Sequence, residues 1–282
     1  MERGKDTKRS HEYELGHTDW ELKRLETQAK LVDPMTRRYF LDAGLAPGMR
    51  VLDIGSGGGD VAILAAAIVG ASGEVVGSDR SPVAVAAASA RVARLGFSNV
   101  SFREGDPTMM DFEQPFDAIV GRYVLMFSPD ATAMLKGLVR QVKPGGIVVF
   151  HEVDWTGAKS SPPSPTYDCC HAWIVQTFQK VGTNPVMGLN LHAAFLAAGL
   201  PAPTLGLSAL AGGGDNDLSG IDLIGDLAAT MAPVMEQSGV VTIKTLDPGT
   251  LVERMRREVT ASKGVVVGRY EIGAWCRRRG AD

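Results

Sequence analysis

A short glycine-rich segment holds the groups best suited to chemistry. Residues 51–62 comprise an apolar strand, then Asp53 followed by Gly55, Gly57 and Gly59, then the start of an apolar helix. Glycine lets the backbone turn sharply and approach a ligand closely, and the free amides at a helix start attract a carboxylate or phosphate. The segment therefore predicts a site for a small anionic ligand at the carboxyl end of the first strand.

Two cofactor classes use such a turn, and the downstream sequence helps to separate them. Asp79 ends a second apolar run about twenty residues later, where an acid can bind ribose hydroxyls in either class. A dinucleotide site expects Gly or Ala three residues after Gly57, but Asp60 stands there, and no tyrosine has a lysine four positions later. The pattern favours a ligand with one carboxylate and a positive centre. A nicotinamide oxidoreductase and a non-catalytic cofactor-binding module stay open as alternatives.

Five elements in order resemble the class I S-adenosylmethionine-dependent methyltransferases. The resemblance is strongest to the small-molecule branch, which includes enzymes of ubiquinone and menaquinone biosynthesis. The elements are residues 51–59, Asp79, and residues 104–106, 116–122 and 143–149. The resemblance implies in-line methyl transfer to oxygen, nitrogen or carbon of a small, apolar or aromatic metabolite.

The same resemblance implies roles for the residues around the glycine loop. It places the methionine end of S-adenosylmethionine at Asp53 and the loop amides, the ribose at Asp79 and the adenine amino group at Asp106. Arg122 borders the same pocket, where it can meet the cofactor, the substrate or a neighbouring acid. The predicted cofactor-binding residues are Asp53, Gly55, Ser56, Gly57, Asp79, Arg80, Asp106, Pro107 and Arg122.

The sequence gives fewer signals for the residues that would bind the methyl acceptor. A fifth strand near 147–152 ends at three ionisable side chains, His151, Glu152 and Asp154, which we predict as catalytic candidates. One of them could act as a general base that removes a proton from the acceptor. Alternatively, their hydrogen bonds only hold the end of the strand in place, and both interpretations stay open. No third ligand accompanies Glu152 and Asp154, so we predict no metal site. The candidate substrate-binding residues are Tyr13, His17, Gln28, Tyr123 and Trp155.

Strands and helices alternate from residue 50 onward, which predicts an α/β fold with a doubly wound, mostly parallel sheet and helices on both faces. By resemblance to the family, the sheet is Rossmann-like, has seven strands and ends in an antiparallel strand. We expect an N-terminal helical lid over 1–46, a cofactor-binding core over 47–155, and the rest of the sheet over 156–282. A helical cap over about 212–263 would cover the substrate.

Capping residues predict where several helices begin. Thr18 and Asp33 mark the starts of two successive N-terminal helices, with Pro34 in the first turn of the second. Ser81 and Ser128, each followed by proline, mark two later helix starts.

The amino-acid composition excludes only broad classes of function. The net charge of −3 carries no general attraction for nucleic acid, and no apolar run is long enough to span a bilayer. The three cysteines have no metal-ligand spacing and fit reduced thiols. We therefore expect a cytoplasmic protein, monomeric or homodimeric, with a small-molecule substrate and no nucleic-acid or membrane partner.

Overall fold

The computed structural model describes residues 19–214 and 217–280. The helices are α1 (Asp19–Ala43), α2 (Asp60–Val69), α3 (Pro82–Arg94), α4 (Ala131–Val139), α5 (Pro165–Lys180), α6 (Met187–Ala197), α7 (Ser219–Gln237), α8 (Ile243–Leu246) and α9 (Pro248–Ala261). The strands are β1 (Arg50–Ile54), β2 (Glu74–Asp79), β3 (Val100–Glu104), β4 (Phe116–Arg122), β5 (Val142–Asp154), β6 (Lys159–Ser161), β7 (Thr204–Gly213) and β8 (Val265–Arg277).

One mixed sheet organises the molecule. Strands β3, β2, β1, β4 and β5 lie side by side in that order and run parallel. Strand β8 pairs antiparallel with β5 and, beyond the end of β5, with the short β6; β7 pairs antiparallel with β8 along the opposite edge. The described strands number eight because β6 adds a short pairing to the predicted seven. The strand order reverses between β1 and β4, where open α/β sheets bind ligands.

Each face of the sheet builds its own hydrophobic core. Successive strand residues point to opposite faces, so Val51 of β1 packs with α1 and α2, while Leu52 packs with the core of the other face. That second core continues into α5, α6, α7 and α9. The sheet is therefore covered on both sides, as the alternation of elements predicts.

The predicted pair of N-terminal helices is wrong for the described residues. A single helix, α1, runs through Pro34. The side chain of Asp33 forms an ion pair with Arg122 on β4, so it is committed to a tertiary contact. Packing of this helix against the sheet outweighs the local stop signal, because tertiary burial supplies most helix stability in a folded protein.

Two further local predictions differ from the structure, and one agrees. Ser81 caps α3, with its hydroxyl accepting a hydrogen bond from the Ala84 amide. Helix α4 starts later than predicted, because Asp130 and not Ser128 caps it. Residues 212 and 213, at the start of the predicted helical cap, continue β7, and the first helix of that stretch begins at Ser219.

Candidate active site

The turn between β1 and α2 consists of glycines in the left-handed region. Gly55, Gly57 and Gly59 have φ values of +61°, +49° and +84°. A Cβ on Gly55 would lie 2.8 Å from Cγ2 of Val124, whereas the space around Gly57 is open to 4 Å. The loop backbone is thus packed on one side by Val124 and accessible at Gly57, where a ligand can reach it.

We expect Gly55→Ala to destabilise the fold by about 2 to 3 kcal/mol, because alanine meets both the left-handed backbone and the Val124 side chain. The matched control is Gly57→Ala, which imposes a similar backbone cost of about 1 kcal/mol without the contact. Chemical denaturation of both variants measures the difference. Equal losses would contradict the tight packing of Val124 on the loop.

Acidic groups lie beside this loop at the ends of β2 and β3. The carboxylate of Asp79 accepts hydrogen bonds from the backbone amides of Gly57 and Ser81 at 2.8 and 2.9 Å. Arg80 is largely exposed and pairs with Asp106 at 2.5 Å. Burial alone would raise the pKa of Asp106, but its hydrogen bonds, chiefly those from Thr108, hold that pKa below its usual value. Asp106 is therefore an ionised acceptor at neutral pH.

The carboxyl group of Asp53 is buried next to the loop without a partner. Neither of its oxygens has a hydrogen-bond partner among the described residues, and the same holds for the hydroxyl oxygen of Ser56. Burial raises the pKa of Asp53 well above its usual value; the charge of Arg122 and, more weakly, the nearby Ala62 amide, which lies outside good hydrogen-bond geometry, offset this only partly. Unpartnered buried polar groups are rare in folded proteins, and a bound ligand, ion or water is one of the partners that can complete them. The loop therefore fits a group that donates hydrogen bonds or carries positive charge.

Arg122 and Pro107 complete the neighbourhood of the predicted cofactor site. The guanidinium of Arg122 donates to Asp33 Oδ1 at 2.7 Å and to Thr36 Oγ1 at 3.0 Å, and its side chain is 6% exposed. Burial would lower the pKa of Arg122, but Asp33 and other neighbours raise it, so the arginine stays charged. Pro107 is buried beside Asp106. In this structure Arg122 therefore ties β4 to α1.

Glu152 is fully buried and binds backbone amides. Its Oε1 accepts from the N–H groups of Val124 and Leu125 at 2.8 and 2.7 Å, and Oε2 faces the N–H of Met126 at 3.4 Å. Burial raises the pKa of Glu152 to about 8, against the opposing effect of these amides. The carboxyl group thus fixes the segment that packs over Gly55.

His151 points to the opposite face of β5, as strand alternation predicts. Its Nδ1 lies 3.0 Å from the hydroxyl oxygen of Thr36, and Nε2 lies 2.9 Å from Glu271 Oε2, outside the angular range of a hydrogen bond. Burial lowers the pKa of His151 more than Glu271 raises it. The imidazole is therefore neutral at neutral pH.

Asp154 ends β5 on the face opposite His151, and Trp155 follows in a short helical turn. Asp154 Oδ1 accepts from the backbone and hydroxyl of Thr156, while Oδ2 is buried without a partner. The indole of Trp155 is 1% exposed and packs against His171 and Phe178. Its position agrees with a role in the core as well as with a pocket wall.

Two charged residues of β8 join the site although the sequence interpretation did not single them out. Glu271 accepts a 2.6 Å hydrogen bond from the Tyr123 hydroxyl and a 3.0 Å bond from Arg269 Nε. Arg269 also donates to the Tyr123 oxygen at 3.2 Å. Burial alone would raise the pKa of Glu271, but Arg269, His151 and Tyr123 lower it. The signal that could have found the pair is the spacing of Arg269 and Glu271, two residues apart in a final strand with no other charged residue before Arg277.

Three candidates from the N-terminal segment are only partly placed. Tyr13 and His17 lie outside the described residues. Gln28 is half-buried on α1. In the part of the chain that the structure describes, no group of His, Cys, Asp and Glu could hold a metal ion, and no helix has the length and apolarity to cross a bilayer.

Comparison with known proteins agrees with this geometry. A family profile described as a methyltransferase domain matches residues 45–186, half of the chain. The chain is 38% identical over 131 residues to an arsenite methyltransferase of Aquipseudomonas alcaligenes, covering 42% of this chain and 38% of that protein. It is 32% identical over 145 residues to a ubiquinone biosynthesis O-methyltransferase of Paracidovorax citrulli, covering 50% and 59% of the two chains.

A solved structure extends the similarity to the fold of nearly the whole chain. A putative methyltransferase from Bacillus halodurans C-125 superposes with a TM-score of 0.57 and 16% identity, covering 86% of this chain and 98% of that one. Sequence similarity is more local, since the first curated relatives are matched over only 38% to 43% of their length. The glycine loop, the strand order and the matched domain agree, and the chain belongs to the methyltransferase domain family, whose members use S-adenosylmethionine.

Proposed function

We propose that the protein binds S-adenosylmethionine at the carboxyl ends of β1, β2 and β4 and methylates a small molecule. The observation that carries the proposal is the buried, unpartnered carboxyl group of Asp53 beside an open glycine loop. S-adenosylmethionine supplies a methyl group on a positively charged sulfur and carries an ammonium group. Both features suit a carboxylate without a cation of its own.

We propose that different residues around the loop bind different parts of the cofactor. Asp79 already orders Gly57 through its amide, and each carboxylate oxygen keeps a lone pair for a ribose hydroxyl. Asp106 offers an acceptor for an amino group, with Arg80 at the outer side. Arg122 and Glu152 position the backbone at the end of β4 through Asp33 and through the amides of residues 124–126.

The chain's own contribution to methyl transfer is alignment and exclusion of water. Alignment of acceptor, methyl and sulfur can supply several kcal/mol of the barrier, on the order of 7 to 11 in well-oriented cases. His151, Glu152 and Asp154 stay candidates for a general base. Burial raises the pKa of Glu152 to about 8 and lowers that of His151, so at neutral pH the neutral imidazole of His151 is the better proton acceptor of these two.

Titration with S-adenosylhomocysteine, the demethylated cofactor, tests the proposal. We expect binding to the wild-type protein, and a loss of about tenfold in affinity for Asp79→Ala, since one charge-assisted hydrogen bond contributes roughly 1.4 kcal/mol. Asp111→Ala is the matched control, because Asp111 is an exposed acid whose backbone oxygen accepts a hydrogen bond from Arg103 of β3.

Absence of S-adenosylhomocysteine binding to a folded wild-type protein would overturn the proposal. Binding of NADH in its place, seen as a change in its fluorescence, would favour an oxidoreductase. Transfer of labelled methyl into a cell extract, followed by mass spectrometry of the product, identifies the acceptor. We also propose that the protein is cytoplasmic, is a monomer or homodimer, and has no nucleic-acid partner. Gel filtration tests the oligomeric state.

A further inference from the structure

An arginine of α3 binds both the glycine loop and the start of α2. Nη1 of Arg91 donates to the carbonyl oxygen of Gly58 at 2.9 Å and to Oδ1 of Asp60 at 2.7 Å. The side chains of Arg91 and Asp60 are 24% and 15% exposed, so their ion pair is largely sheltered from solvent. A single nitrogen therefore ties the backbone of the loop and the first residue of α2 to α3.

Close packing of α3 against the loop brings Arg91 into this position. A Cβ on Gly59 would lie 3.3 Å from the Cβ of Ala88 on α3 and 3.1 Å from Cζ of Phe102 on β3. Ala88 precedes Arg91 by about one helical turn, so both residues lie on the same face of α3. The packing that positions the glycine loop therefore also positions the guanidinium of Arg91.

Helix α2 begins without a side-chain cap. Its N-cap residue is Gly59, which has no side-chain acceptor, and the acidic residue of its first turn is Asp60. The first amides of an α-helix have no acceptor within the helix. Together with the helix dipole, these amides attract an anion. The first turn of α2 is therefore suited to the carboxylate of S-adenosylmethionine, next to the site that we propose for its ammonium group at Asp53.

The charge of Asp60 opposes an anion at this helix start. That charge also acts inside the site: burial is the largest cause that raises the pKa of Asp53, and the charges of Asp79 and Asp60 add to it, against the opposing charge of Arg122. A carboxylate in the first turn of a helix is itself stabilised by the first amides and the dipole, so Asp60 competes with an anionic ligand. Arg91 neutralises Asp60 and holds its Oδ1 toward α3.

We propose that Arg91 is a positioning residue of the cofactor site, which holds Asp60 and the Gly58 carbonyl toward α3 and so keeps the first amides of α2 for the carboxylate of the cofactor. This inference rests on the proposed function and concerns the amino-acid end of the cofactor. Arg91 acts through Asp60 and the loop and does not itself contact the cofactor. Without Arg91, the charge of Asp60 repels the carboxylate.

Calorimetric titration with two ligands that differ in the carboxylate tests this role. S-adenosylhomocysteine carries the carboxylate, whereas methylthioadenosine keeps the adenosine and the sulfur but lacks the amino-acid group. We expect Arg91→Met to weaken S-adenosylhomocysteine binding about tenfold and to leave methylthioadenosine binding within about twofold of the wild type. Arg94→Met is the matched control, because Arg94 is an exposed arginine on the same helix; both ligands should bind it as they bind the wild type.

Removal of the Asp60 charge separates an electrostatic role of Arg91 from a purely structural one. We expect Asp60→Asn, added to Arg91→Met, to restore S-adenosylhomocysteine binding to within about threefold of the wild type. The single variant Asp60→Asn should bind S-adenosylhomocysteine at least as tightly as the wild type, because it loses the repelling charge and keeps Arg91. Weaker binding by this single variant would show that Asp60 contacts the cofactor and would overturn the role of Arg91.

The outcomes distinguish this role from the proposed function. Absence of S-adenosylhomocysteine binding to the folded wild-type protein overturns the proposed function. Normal binding by the wild type, with an equal loss of both ligands in Arg91→Met or with no rescue by Asp60→Asn, overturns only the role of Arg91. The rescue decides alone where methylthioadenosine binds the wild type too weakly to measure.

Discussion

Replacing Glu152 with alanine is expected to destabilise the protein by about 3 to 5 kcal/mol, since several buried amides lose their acceptor at once. Oε1 alone accepts from two amides, Val124 and Leu125, and no water reaches the fully buried carboxyl group. The loss would also loosen the segment that packs against Gly55. Chemical denaturation measures the effect.

Glu152→Gln is the matched variant, and its effect should depend on pH. Glutamine keeps an oxygen for the two short hydrogen bonds and cannot ionise. Because the pKa of Glu152 is raised to about 8, the folded protein binds a proton that the unfolded chain releases at lower pH. The stability from this group is therefore complete below the ordinary carboxyl range and is lost as pH rises through about 8.

The expected outcome is an advantage of Glu152→Gln that grows with pH. The two should be most similar near about pH 5, and the lead of the glutamine variant should increase up to about pH 8 and stay constant above it. Denaturation midpoints from pH 5 to 9 test this. A constant difference across that range would show that the carboxyl group is ionised throughout. Loss of methyl transfer in a stable Glu152→Gln protein that still binds S-adenosylhomocysteine would support Glu152 as the base.

The parts of the molecule that were predictable from sequence depend on local backbone rules. The glycines after β1, the acid at Asp79 and the proline after Ser81 each report on a turn or a helix start within a few residues. Alternation of elements then fixes a parallel sheet, because crossover connections have one hand. These rules predicted the fold and the family.

Long-range contacts were not predictable in the same way. The stop signal at Asp33 and Pro34 failed because Arg122, distant in the chain, binds Asp33 and packs the helix on the sheet. Likewise, Arg269 and Glu271 follow the glycine loop by more than two hundred residues, and only the pairing of β8 with β5 brings them to His151. Sequence spacing carries no information on such neighbours until the strand order is known.

Replacing Asp53 with asparagine is expected to stabilise the ligand-free protein while weakening cofactor binding. Both carboxylate oxygens are buried without a partner, so ionisation of this group opposes folding. Burial raises its pKa, and the stability linked to its protonation is complete below the ordinary carboxyl range and lost as pH rises through the raised pKa. Asparagine does not titrate, so its advantage in denaturation midpoint should grow with pH.

The same substitution removes the carboxylate charge of Asp53, which we propose binds the positively charged part of the cofactor. We expect Asp53→Asn to weaken S-adenosylhomocysteine binding by about a hundredfold, or roughly 3 kcal/mol, because a buried charge-assisted contact is lost. Asp117→Asn is the control: this acid is on β4, but it binds Arg50 and Lys143 away from the loop. It should lower stability and leave binding unchanged. If Asp53→Asn destabilised the free protein, the carboxyl group would have a partner inside the fold; if binding stayed normal, the cofactor would not depend on it. A gain in stability together with a loss of binding is the result expected if the carboxyl group lowers the stability of the free protein and serves to bind the ligand.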